Sequence, residues 1–270
     1  MRVACVQMCS GAEVAVNLDA AATLLAEAAG QGARLALLPE NFSFMSPDSS
    51  LKRGIAEEVG PAVVLPFLAE MARRHALYVV GGSLLLAGKE GKLRNACPVF
   101  APDGSCLAVY DKIHLFDVDL PNESHRESEL IEPGVEPRAV DIEGWLLGLS
   151  ICYDLRFPEL YRRYARDGCQ LLSVPSAFTV PTGQAHWEIL LRARAIENQA
   201  YVLAPAQGGI HPGGRRTWGH TLIIDPWGTV LAELREAPAG QGGVVLADLD
   251  AQRLWEVRGR LPALGHRRLD

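Results

Sequence analysis

Short runs of apolar residues that stop abruptly at a polar residue recur along the whole chain. The run at residues 34–38 ends at Pro39 and Glu40, and the run at residues 145–151 ends at Cys152. Near-continuous apolar runs of this length are typical of strands that are covered on both faces. Helix-forming patterns lie between the runs, at residues 17–29, 61–75, 157–167 and 185–199 and from residue 251 onward. This alternation predicts an α/β fold.

The predicted strands are more numerous than one small sheet needs. They cover residues 2–8, 34–38, 77–86, 95–100, 106–110, 145–151, 170–174, 201–206, 221–224, 229–231 and 244–249. Hairpins are expected around residues 102–104 and 225–228, and residues 111–137 are predicted to form a long loop. Two packed sheets with helices outside would accommodate these elements. Since no linker rich in Pro, Gly or Ser interrupts the chain, residues 1–270 are predicted to form a single domain.

Two details of the helices follow from their residues. Asn17 belongs to a residue type that commonly caps helices, so the first helix is expected to begin there. Ile189, Ala193 and Ile196 have the spacing of one helical face in the helix at residues 185–199.

Charge and composition limit the classes of partner. The chain has a formal net charge of -6, whereas a nucleic-acid-binding protein needs a basic face, so nucleic acid is not expected as a main partner. No apolar run approaches the roughly 20 residues that cross a bilayer, so no membrane partner is expected. The N-terminal sequence MRVACVQMCS lacks the apolar region and cleavage site of a signal peptide. A cytoplasmic protein is therefore expected.

The spacing of the six cysteines favours neither metal binding nor disulfides. They form no C-x-x-C pair and no Cys/His cluster with zinc spacing, and disulfides are rare in a reducing compartment. Taken alone, each cysteine is expected to be a small buried apolar residue. The cysteines lie at positions 5, 9, 97, 106, 152 and 169.

Three predicted strands nevertheless end at residues that could catalyse a reaction together. Cys152 could be a nucleophile, because open α/β sheets bind ligands at the carboxyl ends of their strands. A thiol with an ordinary pKa near 8.5 needs a base or a nearby cation to react at neutral pH. Glu40 could be that base, Lys112 could stabilise a thiolate and an oxyanion, and the backbone N–H of Tyr153 could help to bind the oxyanion.

Each of these residues has a simpler alternative role. Glu40 alone would be interpreted as a helix cap or surface ion pair, Lys112 as a solvated charge, and Cys152 as core packing. The occurrence of a carboxylate, an ammonium and a thiol, each at a strand end, is what favours catalysis.

Six segments distributed along the chain form a distinctive set: LPENF (38–42), YDKIHLFDVDLP (110–121), ICYDLRFPELYR (151–162), residues 175–209, GHTLIIDPWG (219–228) and LPALGHRR (261–268). Through these segments the chain resembles the carbon–nitrogen hydrolases of the nitrilase superfamily almost from end to end. This resemblance implies an α-β-β-α sandwich, often paired into homodimers or larger homo-oligomers. It implies that Glu40 is the general base, Lys112 the oxyanion-stabilising cation and Cys152 the nucleophile, with Glu127 positioning Lys112 or the leaving group. No metal or organic cofactor is implied.

Within the superfamily, the chain is most similar to the branch that includes deaminated glutathione amidase and ω-amidase. The branch implies a small amide substrate that bears carboxylates: deaminated glutathione, cleaved to 2-oxoglutarate and cysteinylglycine, or alternatively 2-oxoglutaramate or succinamate. A member of another class, an inactive binding or scaffolding subunit, is a further alternative.

A substrate of this kind requires cations or backbone N–H donors in the pocket. Arg156 is the main candidate, with an ion pair to Glu159 or Asp154 as its alternative role. Phe42, Met45, Thr182 and His186 are also expected to contact the substrate; the last two are predicted to lie in a loop entering a helix, where N–H groups favour anions.

Overall fold

Strands and helices alternate along the part of the chain that the structure, a computed structural model, describes: residues 1–56, 62–120, 123–235 and 242–269. The helices are α1 (Val14–Gly30), α2 (Ser49–Ile55), α3 (Val64–His75), α4 (Pro158–Arg166), α5 (Val180–Asn198) and α6 (Ala251–Arg260). The strands are β1 (Arg2–Gln7), β2 (Leu35–Leu37), β3 (Tyr78–Val80), β4 (Leu84–Ala87), β5 (Leu93–Phe100), β6 (Cys106–Asp111), β7 (Asp117–Leu120), β8 (Glu123–Arg126), β9 (Ala139–Ile142), β10 (Trp145–Leu149), β11 (Leu171–Ser173), β12 (Tyr201–Ala204), β13 (Gly208–Ile210), β14 (Arg216–Trp218), β15 (Thr221–Ile224), β16 (Val230–Leu234) and β17 (Gly243–Asp248).

Two mixed sheets contain most of the strands. The first has the order β17-β1-β2-β3-β5-β4, with β6 also paired to β5, and its strands β1, β2 and β3 are parallel. The second has the order β16-β15-β12-β11-β10-β9, with β10, β11 and β12 parallel. Two short hairpins, β7–β8 and β13–β14, lie outside these sheets. Both sheets therefore have a parallel centre, whose strand ends can carry a site.

Alternation along the strands divides the core into layers. In β1, Val3 and Cys5 belong to the cluster that includes the strands of the second sheet, whereas Ala4 and Val6 belong to the cluster formed with α1 and α3. Side chains of a strand point alternately to opposite faces, so the first sheet packs on the second sheet with one face and on helices with the other.

The outer face of the second sheet is covered by α4 and α5. Gly148 in β10 faces α4 so closely that a Cβ added there would lie 2.6 Å from the ring of Tyr164. Trp187 and Leu191 of α5 are buried in the same cluster as the strands. The predicted four-layer α-β-β-α sandwich is thereby confirmed. No helix among the described residues has the length and apolar character needed to cross a membrane.

The helix boundaries differ from the prediction at two places. The first helix begins at Val14, and Asn17 lies inside it, where its buried side chain bonds the backbone of Gly11 and Ser43. The helix predicted from residue 61 begins at Val64; Pro61 lies outside the described residues.

The helix α5 also differs from the prediction in its start. It begins at Val180 rather than near residue 185. Its buried face comprises Trp187, Leu191 and Ala195, whereas Ile189 is 70% exposed. Ile189, Ala193 and Ile196 have the spacing of one face of α5, and because Ile189 and Ile196 are exposed this face is not the buried one.

Two predicted segments are subdivided in the structure. The strand expected at residues 77–86 is broken into β3 and β4 by Gly81 and Gly82, the latter with φ +56°. The loop expected at residues 111–137 contains the hairpin β7–β8. Each strand of this hairpin has only four residues, DVDL and ESHR, so the strand pattern is too short to stand out from the polar segment around it.

Candidate active site

Glu40 lies just beyond the carboxyl end of β2, on a turn that is held from several sides. The backbone N–H of Asn41, at φ +55°, donates to Ser83 Oγ at 3.0 Å, and Gln207 Nε2 donates to the Glu40 carbonyl at 3.1 Å. Gly82 approaches the turn so closely that a Cβ there would lie 2.1 Å from the Pro39 carbonyl oxygen. These contacts hold the Glu40 side chain in a fixed position, and the whole residue is only 4% exposed.

Lys112 connects two carboxylates in the same buried cluster. It follows the last residue of β6, and its Nζ lies 3.0 Å from Glu40 Oε1 and 2.8 Å from Glu127 Oε2. Its side chain is 2% exposed, so these charges interact in surroundings that screen them little. Glu127 also accepts a 2.7 Å hydrogen bond from the Phe116 backbone N–H.

Asn95 in β5 bridges the same two carboxylates. Its amide nitrogen donates to Glu40 Oε1 at 3.2 Å and to Glu127 Oε1 at 3.1 Å, and the residue is 3% exposed. One side-chain amide therefore fixes the separation of the two glutamates on either side of Lys112.

Burial and charge set the protonation of this cluster. Burial opposes the charged form of Lys112, but the carboxylates of Glu127 and Glu40 hold the pKa of its ammonium well above the ordinary value. Burial alone would raise the pKa of Glu127, and the adjacent Lys112 lowers it below the ordinary value. Lys112 is therefore protonated and Glu127 ionised at neutral pH.

Cys152 begins a tight turn after β10 with its backbone in the left-handed region, at φ +49°. Its N–H donates to the Pro175 carbonyl at 2.9 Å, which fixes the turn against the neighbouring strand connection. A non-glycine residue in this conformation stores strain that the surrounding structure must compensate, and such residues concentrate at functional sites.

The Cys152 thiol lies in the electrostatic field of the cluster. Burial raises its pKa well above the ordinary value, the Glu40 carboxylate raises it further, and Lys112 acts in the opposite direction. The resting thiol is thus protonated and faces a carboxylate, so proton transfer must accompany any attack by sulfur.

The turn after Cys152 carries a buried acid and a candidate oxyanion donor. Tyr153 is the second residue of the turn, where a backbone N–H has no acceptor within the turn itself. Asp154 is fully buried and accepts hydrogen bonds from Tyr110 Oη at 2.7 Å and Ile151 N at 2.8 Å, besides contacts with the backbone and ring of His114. Asp154 thereby ties the turn to β6.

A cavity of about 420 Å³ opens above these groups, a size suited to a small molecule. Glu40, Lys112, Glu127 and Cys152 all line it, as do Tyr153, Arg156, Met45 and Thr182. The structure thus brings together the four residues expected to be catalytic.

Two residues expected to contact substrate do not line the cavity. Phe42 is fully buried in the core between the first sheet and its helices, because the turn after Glu40 directs it inward. His186 lies beyond Arg156, with its Nδ1 3.3 Å from Arg156 Nη1. Thr182 and His186 are within α5 rather than in a loop before it.

Arg156 lies at the cavity without a carboxylate partner in the described part of the chain. Its guanidinium lies over the rings of Tyr153 and Phe178, at 5.7 and 5.4 Å. The alternative ion pair with Asp154 is absent because Asp154 is directed toward Tyr110 and His114.

Four residues that the sequence prediction missed belong to this site or its support: Asn95, Asp154, Lys52 and Arg215. Asn95 could have been noticed as a polar residue inside an otherwise apolar strand, LRNACPVF. Lys52 and Arg215 gave no such signal, because each lies in a polar segment and does not follow one of the predicted apolar strands. Among the described residues, no group of three or more His, Cys, Asp or Glu side chains is arranged to hold a metal ion.

Comparison with known proteins places this geometry in a family. Residues 2–258 match the family described as carbon-nitrogen hydrolase. Deaminated glutathione amidase of Synechocystis sp. is 44% identical over 269 residues, which cover 98% of this chain and 97% of that protein. Omega-amidase NIT2 of Danio rerio is 41% identical over 271 residues, which cover 100% of this chain and 95% of that protein.

A solved structure agrees with the sequence comparison. The C. elegans NitFhit protein superimposes with a TM-score of 0.91 at 37% identity, covering 99% of this chain and 65% of that longer chain. Near-complete coverage by sequence and by fold leads to one conclusion: the chain belongs to the carbon–nitrogen hydrolase family, whose curated relatives here are amidases.

Proposed function

We propose that residues 1–270 form one amidase domain that cleaves a small carboxylate-bearing amide through a thioester on Cys152. The observation that carries this proposal is the convergence of Glu40, Lys112, Glu127 and Cys152 on one 420 Å³ cavity, with Lys112 at 3.0 Å from Glu40. No metal or organic cofactor enters the mechanism.

In the first half of the reaction, Glu40 accepts the thiol proton as Cys152 Sγ attacks the amide carbon. The carbonyl electrons move to oxygen, and this oxyanion is stabilised by Lys112 and the Tyr153 backbone N–H. The carbon–nitrogen bond then breaks, Glu40 donates its proton to the departing amine, and a thioester remains. Glu127 keeps Lys112 oriented through its 2.8 Å contact.

In the second half, Glu40 takes a proton from water while the oxygen attacks the thioester carbonyl. The tetrahedral intermediate uses the same two oxyanion donors. Breakdown releases the carboxylic acid and returns the proton to Cys152 sulfur. Two moderate barriers thereby replace one high barrier, which is the advantage of a covalent intermediate.

For the substrate, we infer deaminated glutathione, cleaved to 2-oxoglutarate and cysteinylglycine. The Synechocystis relative named for that amide supports the assignment, as does the unpaired Arg156 at the cavity. The alternative is ω-amidase activity on 2-oxoglutaramate or succinamate, which the NIT2 relatives favour. A side-by-side measurement of kcat/KM for deaminated glutathione and 2-oxoglutaramate decides between them.

The thioester provides the direct test. Rapid acid quenching during turnover of either amide, followed by intact-protein mass spectrometry, should reveal an acyl adduct on Cys152. Cys152→Ala should fold normally, give no adduct and lose turnover. If Cys152→Ala turns over at the wild-type rate, the mechanism is wrong; if wild type hydrolyses no amide but binds one, the inactive binding or scaffolding alternative is correct.

Assembly and location are part of the same proposal. We infer a homodimer or larger homo-oligomer, supported by the apolar side chains that α5 exposes, with Ile189 70% and Ile196 47% accessible. Light scattering after size-exclusion chromatography tests the assembly.

We infer a cytoplasmic location, supported by six cysteines that all lie in the described residues and are all free. Fractionation of cells expressing a tagged chain tests the location.

A further inference from the structure

The mechanism leaves two cations of the cavity without a role. Lys52, on α2, and Arg215, just before β14, both line the space above Cys152. Neither forms an ion pair within the described part of the chain, in contrast to Lys112, which contacts Glu40 and Glu127. An unpaired, partly buried cation is costly unless a ligand compensates it.

Lys52 and Arg215 come from segments that touch each other. A Cβ added to Gly213 would lie 2.9 Å from the ring of Pro47, so the loop before β14 packs against the segment leading into α2. The two charges interact across this contact: burial, and then the charge of Arg215, lower the pKa of Lys52. The pair is therefore two like charges brought together at one end of the cavity.

The Arg215 guanidinium is positioned and incompletely satisfied. Its Nη2 donates to the Ala177 carbonyl at 3.2 Å, which directs it toward the segment beside Cys152. Its Nε–H is buried and has no acceptor among the described residues. Three acidic residues line the cavity: the active-site residues Glu40 and Glu127, and Glu129, which is exposed to solvent.

Lys52 lies on the Glu127 side of the cavity, and Arg215 lies between it and the segment at Ala177 and Phe178. Ile55 and Ala56, at the end of α2, pack with Leu85 and Ile131, next to the segment that carries Glu127. Glu127 is accordingly one of the carboxylates whose charge acts on Lys52. Arg156 belongs to the turn of Cys152 and lies against Phe178 and Tyr153. Besides Arg156, the cavity thus has a second cationic group, the pair Lys52 and Arg215, that extends toward Glu127.

We propose that Lys52 and Arg215 bind a carboxylate on the amine portion of the substrate, so that the preferred substrate is an amide with a carboxylate on each side of the scissile bond. Arg156 would bind the carboxylate of the acyl portion. The inference rests on the proposed amidase function and sharpens it, because deaminated glutathione has both carboxylates and 2-oxoglutaramate has only the acyl one.

The test compares two amides that differ in one group: deaminated glutathione and its C-terminal glycinamide analogue. Wild type should prefer the acid by about 10- to 100-fold in kcat/KM, the range expected for hydrogen bonds to a charged group. Lys52→Met and Arg215→Met should each reduce this ratio by about tenfold, and the double variant should bring it close to one. Equal kcat/KM for acid and amide in wild type overturns the inference without any variant.

Neighbouring arginines supply matched controls. Arg53→Met, on the same helix as Lys52, and Arg216→Met, beside Arg215, each remove an exposed cation that does not line the cavity. Both should retain the wild-type ratio; a ratio reduced as much as in Lys52→Met would mean that net charge alone is responsible and would overturn the inference.

The outcome separates this inference from the proposed function. If neither of these amides nor 2-oxoglutaramate is hydrolysed, the amidase proposal fails, and calorimetric titration of Cys152→Ala with the acid and the glycinamide still measures the preference. If only 2-oxoglutaramate is hydrolysed, the amidase proposal survives and the second carboxylate site does not. If both amides are hydrolysed through a thioester with the same efficiency, the amidase proposal survives and the second carboxylate site does not.

Discussion

Lys112→Met should destabilise the protein by an amount that depends on pH. The ammonium is 2% exposed and makes contacts of 3.0, 3.1 and 2.8 Å with the carboxylates of Glu40 and Glu127. Methionine retains much of the side-chain length but removes the charge, so both carboxylates would remain buried without a cation. Breaking a buried ion pair by removing one partner costs about 3–5 kcal/mol.

That free energy converts to a measurable shift in melting temperature. An unfolding entropy of about 2.1 cal/mol/K per residue gives a chain of 270 residues about 0.57 kcal/mol/K. The expected drop in Tm is therefore about 5–9 °C at pH 8, which differential scanning calorimetry resolves.

The sign of the pH dependence follows from Glu127. In wild type, burial would raise the pKa of Glu127 and Lys112 lowers it below the ordinary value. In Lys112→Met the burial remains and the opposing charge is gone, so the folded-state pKa should rise above the unfolded value of about 4.3. A carboxyl with a raised folded-state pKa destabilises at high pH, and the penalty shrinks as pH falls through that pKa. The Tm difference should accordingly be smaller at pH 5 than at pH 8.

Lys52→Met is the matched control for this experiment. It removes a partly buried cation that has no ion pair among the described residues, so it should change Tm much less than Lys112→Met does. A Lys112→Met variant whose Tm is within about 2 °C of wild type at pH 8, or whose deficit is the same at both pH values, would refute the account of the cluster.

Three further predictions concern the groups around the thiol. Glu40→Gln removes a negative charge that raises the pKa of Cys152. The rate at which iodoacetamide alkylates Cys152, measured against pH by peptide mass spectrometry, should therefore have its inflection at lower pH than in wild type. An unchanged inflection would show that Glu40 does not act on the thiol. Asn95→Leu removes a hydrogen bond to each active-site glutamate, so kcat/KM should fall about 10- to 100-fold while the circular dichroism spectrum is retained, and a loss below twofold would exclude the positioning role. Asp154→Asn places an amide N–H₂ among four donated contacts, so urea unfolding should show a loss of about 2–4 kcal/mol, whereas an unchanged midpoint would mean that the turn needs no buried acceptor there.

The sequence predicted the fold well where burial on both faces leaves a simple pattern. The apolar runs before Glu40 and Cys152 correspond to β2 and β10, whose ends lie at the site. The prediction failed where the local pattern did not show the extent of an element. The helix α5 begins at Val180, before the predicted start, and exposes Ile189, and the hairpin β7–β8 forms in a segment predicted to be a loop. Local periodicity reports which residues are apolar, while the tertiary contacts decide which apolar face is covered.

The candidate site was predictable in its reactive groups and not in its supports. A thiol, a carboxylate and an ammonium at the ends of predicted strands can be recognised from the sequence alone. The contacts of Asn95 with Glu40 and Glu127, and of Asp154 with Tyr110, join residues 32 to 55 positions apart, and no local pattern encodes such pairings. Lys52 and Arg215 lie 163 positions apart by their numbering and meet only because two loops pack at Pro47 and Gly213.

The charges of the cluster explain why a protonated thiol suits this site. Two acidic side chains, Glu40 and Glu127, face one ammonium, Lys112, and burial together with the charge of Glu40 raises the pKa of Cys152, so a resting thiolate would add negative charge to a buried space that already has more acids than bases. Moving the proton from Cys152 to Glu40 leaves the total charge unchanged, since the carboxylate becomes neutral as the thiol ionises. Attack then transfers the negative charge to the substrate oxygen, where Lys112 can stabilise it. The proposed thiolate nucleophile is therefore created only when an acyl group is present to receive its electrons. The chain as a whole has a charge of -6, which would repel an anionic substrate, and the unpaired cations of the cavity would attract it locally.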